Sequence, residues 1–157
     1  MSVIIMDGRV AVAWCNAVAN LAAPTVAEVN GGTRLEGLIT PDGLDIKMGT
    51  GNVNSSNLGS KFTTNRAGRI TPEVSITFHH DSPVDTAWTL FQYRTTGVLI
   101  VRRGIDKATA FASGQPVAVY PLEAGASDEV KPAPDSTWDF MVPFFVYLDP
   151  EPRATVA

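Results

Sequence analysis

Apolar and polar residues alternate with a period of two along much of the chain. Val10, Val12 and Trp14 alternate with Arg9, Ala11 and Ala13. Leu44, Ile46 and Met48 alternate with Asp45 and Lys47, and Val74, Ile76 and Phe78 alternate with Glu73, Ser75, Thr77 and His79. Each pattern predicts a strand with one buried face. Val98–Val101 and Val117–Tyr120 are unbroken apolar runs, as expected of strands covered on both faces. Phe140–Leu148 is the last and most apolar run. Pro143 withholds a ladder donor there, so this strand is expected to begin after it or to lie at a sheet edge.

One flanking helix is predicted at about residues 83–95. Ser82 suits the N-cap and Pro83 the first helical position. Val84, Ala87, Trp88 and Phe91 follow with helical spacing, so Trp88 and Phe91 are read as core. Arg94 falls in the last turn and Gly97 ends the helix.

Two segments break the strand pattern. Residues 48–69 form a 22-residue stretch in which 14 residues are Gly, Asn, Ser or Thr, with Lys61, Arg66 and Arg69 and no acid. A loop of this length is uncommon unless it is functional or disordered. Residues 121–139 contain Pro132, Pro134 and most of the acidic excess of the chain.

Composition narrows the function. The chain has 157 residues, one domain's worth, and only 18% are charged, which fits a protein with much of its surface covered by other protein. Net charge is −4, against the basic face of a nucleic-acid binder. Residues 1–120 carry 10 basic and 9 acidic side chains, and residues 121–157 carry 2 and 7, so the net charge is +1 in the first part and −5 in the second. Cys15 is the single cysteine, which excludes an internal disulfide. Asp7, Asn16 and Asn20 interrupt the small apolar residues near the start, so a cleaved signal peptide is not expected. No apolar run approaches the ~18 residues of a membrane helix.

Motifs for chemistry fail in turn. His79 and His80 are adjacent on a strand and point to opposite faces, so they cannot share a metal. Cys15 has no positioned base beside it. Gly49-Thr50-Gly51 opens like a dinucleotide loop, but position 54 is Asn and no helix pattern follows. Asp42, Asp45, Asp81 and Asp85 assemble no recognisable acid–base pair. No enzyme activity and no cofactor is expected. Arg102 and Arg103 end a strand with one side chain on each face, reaching either solvent or an ion pair between subunits.

The order of these elements is similar to that of the tail tube protein (major tail protein) of long-tailed phages, siphoviruses, especially those infecting actinobacteria. The likeness rests on Arg9–Trp14 followed by Ala23–Val29, on Leu38–Leu44, on Thr71–Phe78, and on Gly97–Gly104 followed by Gly114–Pro121. The resemblance implies a mainly β, sandwich or barrel-like fold with one flanking helix, as a single tail-tube domain over residues 1–157. It implies hexameric rings that stack into a hollow tube in the virion tail. The tube would be made in the host cytoplasm, enclose the tape-measure protein, meet tail-end proteins and deliver DNA without binding it specifically. Some relatives carry a C-terminal immunoglobulin-like domain, for which this chain is too short. Alternatives are a capsid decoration or head-tail protein, or a β-sandwich ligand-binding module.

Within that picture the loop 48–69 is expected to be an assembly arm. Leu58 and Phe62 would be buried against a neighbour, and Lys61, Arg66 and Arg69 would meet Asp128, Glu129, Asp135 or Asp139 of another copy. The alternative is a solvated loop and tail that never meet. The mixed-charge strand faces with Asp45, Lys47, Glu73, Ser75 and Thr77 are the candidates to line the lumen.

Overall fold

The computed structural model describes residues 1–157. It is mainly β, built on one antiparallel sheet of nine strands. In chain order the elements are β1 (Val10–Cys15), α1 (Val26–Asn30), β2 (Thr33–Arg34), β3 (Ile39–Asn54), β4 (Asn65–His79), α2 (Thr86–Leu90), β5 (Thr96–Arg103), β6 (Pro116–Ala124), β7 (Asp128–Glu129), β8 (Asp139–Val146) and β9 (Glu151–Thr155). The strands lie in the order β2-β1-β5-β6-β8-β4-β3, with β7 added to β8 and β9 to β6.

The sheet has a core on each face. One face gathers Val12 and Trp14, Leu99 and Val101, and Tyr120 with Phe78, Phe140 and Phe144. The opposite face of β1, β5 and β6 carries Ala11, Val98, Ile100 and Val119 beneath Val29 of α1, Phe111 and Val156. The unbroken runs 98–101 and 117–120 are therefore buried on both sides, as their composition predicts. So is β1, because Ala11 and Ala13 are fully buried and not the outer face that alternation suggests. The sheet rolls around the first core. Val10 and Val12 of β1 and Ile39 and Leu44 of β3 line one groove of about 430 Å³, although β1 and β3 stand near opposite ends of the strand order.

The expected loop 48–69 is mostly strand. β3 and β4 pair from Lys47↔Glu73 out to Asn54↔Asn65, leaving residues 55–64 as the tip of a long hairpin. Periodicity fails there because the outer ribbon has no buried face: Met48, Val53 and Ile70 are all exposed.

The helix at 83–95 shrinks to the five residues of α2. Asp85 precedes it without capping it, because the Asp85 carboxylate is taken by His80. Ala87 and Phe91 are buried as expected, but Val84 and Trp88 are exposed. Arg94 has a left-handed backbone (φ 67), and Gly97 lies inside β5 and not at a helix end. A second helix, α1, is too short to show a period. Its signature is local: Thr25 caps the Glu28 N–H while Glu28 accepts from the Thr25 N–H, a reciprocal box.

Pro143 neither starts β8 nor lies on an edge. β8 runs through it between β4 and β6. Its carbonyl accepts from the Gly125 N–H at 2.7 Å, so its nitrogen faces the same flank, just past the end of β6. Proline cannot return a bond to the Gly125 carbonyl, so the β6–β8 ladder stops there, and on the β4 flank no bond is due from this residue. The acidic segment 121–139 is likewise partly ordered, by the end of β6 and by β7 pairing with Met141 and Phe140.

Candidate assembly surfaces

The β3–β4 hairpin is the largest feature that the two cores do not explain. Leu58 and Phe62 stand fully in solvent at its tip, at 106% and 81% exposure. Lys61, Arg66 and Arg69 are exposed on the same ribbon and make no ion pair within the chain. Large apolar groups without partners are costly to leave in water, and with arginines beside them they have the composition of a contact surface.

The residues proposed for a lumen share one face. Asp45 pairs with Ser75 and Lys47 with Glu73 across β3 and β4. Thr77 continues the row. They point away from the first core, which takes Val74, Ile76 and Phe78 from the same strand. The second core lies under β1, β5, β6 and β9 and leaves this part of the sheet uncovered. Only Asp45 and Lys47 bond each other, at 3.6 Å.

The two arginines at the end of β5 separate sharply. Arg103 is exposed and borders the 430 Å³ groove with Lys107. Arg102 is fully buried, so it is not available for an ion pair between subunits. Its Nη1 donates to the Ala110 carbonyl and Gln115 Oε1, and its Nη2 to the carbonyls of Asp106 and Thr109. It organises the loop between β5 and β6. Burial pushes its pKa below the ordinary guanidinium value, and the charge of Arg34 adds to the fall.

The acidic candidates also divide. Asp139 accepts from Thr137 and pairs with His79 Nδ1 at 2.6 Å. Glu129 holds the Trp138 indole N–H at 3.1 Å and lies 3.3 Å from His80 Nε2. Asp128 and Asp135 are exposed and unpaired within the chain.

Together these contacts build a cluster that spacing did not reveal. His80 sits between Asp85, 2.5 Å from its Nδ1, and Glu129. Its ring stacks on Trp138 at 3.9 Å and touches Trp88 and Phe140. Trp138 nevertheless remains 68% exposed. The members come from the residue after β4, from α2 and the residue before it, from β7, and from β8 and the residue before it, so no local motif joins them.

Cys15 is buried and donates to the Glu28 carbonyl. Burial, with help from the Glu28 charge, pushes its thiol pKa up to about 11, the property of an inert thiol. No group of three or more His, Cys, Asp or Glu side chains is placed to hold a metal ion, and no helix is long and apolar enough to cross a membrane.

No curated protein matches the chain. A family model described as phage tail tube protein matches residues 1–157, the whole length, and the chain accordingly belongs to the phage tail tube protein family.

Proposed function

We propose that the chain assembles with copies of itself into stacked hexameric rings, and that these form the hollow tube through which a siphovirus genome leaves the virion. Family membership supports the coarser statement, a structural protein of the phage tail. The observation that carries the finer one is the β3–β4 hairpin. It extends beyond the core with both faces exposed, and β3 ends the strand order with a free edge. An open edge on a long strand is a template for pairing with another chain, and closing strands into a ring removes it.

In this reading residues 1–157 act as one tail-tube domain, assembled in the host cytoplasm, with the tape-measure and tail-end proteins as further partners. The face with Asp45, Lys47, Glu73, Ser75 and Thr77 lines the lumen. Its mixed charge suits a conduit, because a lining that neutralised many phosphates would hold the DNA in a strongly salt-dependent way. Arg103 remains a candidate for subunit contact. Family membership favours a structural role over an enzymatic one.

Negative-stain microscopy of the purified protein, with duplex-binding measurements at physiological salt, tests this. Tubes that do not bind duplex are expected. Discrete closed oligomers would point to a decoration or head-tail protein, and monomers at all concentrations would defeat the assembly reading.

A further inference from the structure

The cationic hairpin tip and the acidic aromatic cluster lie at opposite ends of the same strand. β4 begins at Asn65, beside the tip, and ends at His79, where the backbone N–H of His80 donates to the Trp138 carbonyl. Fourteen residue steps at about 3.3 Å put some ~45 Å between them. One copy cannot bring its own two surfaces together.

Each end is complementary to the other. The hairpin from residue 48 to 69 has three cations and no acid. The cluster has Asp128, Glu129, Asp135 and Asp139 against Lys131 alone within residues 128–139. At its centre Trp138 is exposed yet held, by its bond to Glu129 and its stack on His80. An indole fixed in place loses little freedom on binding and offers its face to a cation. Trp and Arg are the residues that most often dominate interfaces.

From this juxtaposition we infer that the Trp138–His80 stack is a socket for the hairpin tip of a second copy, packed head to tail along β4. The tip's cations meet the indole face and the free carboxylates of Asp128 and Asp135, and Phe62 packs at the rim. A contact between two different surfaces of one chain is heterologous. It repeats without using itself up, and so extends a polymer in one direction. The inference rests on the proposed self-assembly and assigns it a polarity and a contact.

The test uses the full chain in two reversed forms, each first shown to be folded by circular dichroism. The tip-reversed form carries Lys61→Glu, Arg66→Glu and Arg69→Glu. The socket-reversed form carries Asp128→Lys and Asp135→Lys, which turns residues 128–139 from a net charge of −3 to +1; a long basic side chain already occupies a left-handed backbone at Arg94 (φ 67), like that of residue 135 (φ 57). Each form alone should lose polymer mass by about tenfold or more in sedimentation at low salt. Their equimolar mixture should regain it, because each tip then meets a socket of opposite charge. Trp138→Ala should weaken assembly at high and low salt alike. If wild type polymerises but the mixture does not, or if either reversed form polymerises normally alone, the socket is wrong and the assembly reading stands. If wild type never polymerises, both fall.

Discussion

The guanidinium carbon of Arg102 lies 4.6 Å from the centre of the Phe111 ring, inside the second core. Arg34 approaches the same ring at 5.2 Å and donates to the Lys107 carbonyl. The loop between β5 and β6 is thus fastened by cations that bond its carbonyls and stack on its aromatic residue. Removing Arg102 would leave three carbonyls and Gln115 Oε1 of this loop without their donor and open a cavity. Arg102→Ala is expected to lose about 3 kcal/mol. Arg102→Lys should also lose more than half of that, since one ammonium cannot reproduce a planar fork reaching four acceptors. Urea unfolding checks both, and a lysine variant as stable as wild type would refute the fork's role.

Cys15 should resist alkylation at neutral pH in the folded protein and react once it is unfolded. Its thiol is buried and its pKa is raised from 9.0 to about 11. The sign of the linkage follows. Between these two values the unfolded chain has lost the proton that the folded chain keeps, so stability is full below about 9 and falls as the pH rises toward 11. Cys15→Ala should flatten that part of the stability profile. An unchanged slope in the alanine variant would assign the alkaline loss to other groups.

At the start of α1, Thr25→Ala removes a cap whose loss typically costs about 1 kcal/mol. Glu28 is the partner in this box. The Ala19 N–H, then the Thr25 N–H and hydroxyl, stabilise its carboxylate and lower its pKa from 4.5. A lowered carboxylate pKa contributes stability above the unfolded value that is lost as the pH falls through the folded one. Acid unfolding should therefore be less steep in Thr25→Ala, which removes one of those bonds. Equal slopes in the two proteins would mean that the backbone N–H groups of Ala19 and residue 25 hold Glu28 without the hydroxyl.

How much of this was legible in the sequence depends on whether an element buries a face. β5 and β6 announced their two-sided burial through unbroken apolar runs, and the inner half of β4 through Val74, Ile76 and Phe78. The outer hairpin could not be seen, because Val53, Arg66 and Ile70 pair across strands but stay exposed and enter neither core. Small residues misled in β1, where Ala11 and Ala13 look like a neutral outer face but fit closely beneath the second core. The contact candidates on the hairpin were readable as charges without partners. The socket was not, because His80 meets Glu129 and Trp138 across more than 45 residues of chain. Nor was the burial of Arg102, since nothing local distinguishes it from Arg103.

Gly97 offers the sharpest test of the packing. It lies in β5 opposite Leu122, and a Cβ placed there would come within 2.5 Å of Trp14 Cζ2, 2.6 Å of Cε2 and 2.9 Å of the Cys15 carbonyl. The requirement is space and not backbone angle. Trp14 cannot yield easily: it meets Phe91 edge-on at 4.8 Å and Phe144 at 5.8 Å, and its indole N–H is already buried without a partner. The carbonyl cannot yield either, since β1 and β5 are locked in register from Val10↔Arg103 to Cys15↔Val98. Gly97→Ala should therefore destabilise the fold by about 2–3 kcal/mol, the upper range for overpacking. Trp14→Phe alone should also destabilise it, by leaving a void. Combined, the two should cost less than their sum by about 1 kcal/mol or more, because phenylalanine withdraws the part of the indole that the new methyl strikes. Urea unfolding of all four proteins measures this coupling. Strict additivity would show that the methyl is accommodated by the backbone and that Trp14 does not set the need for glycine.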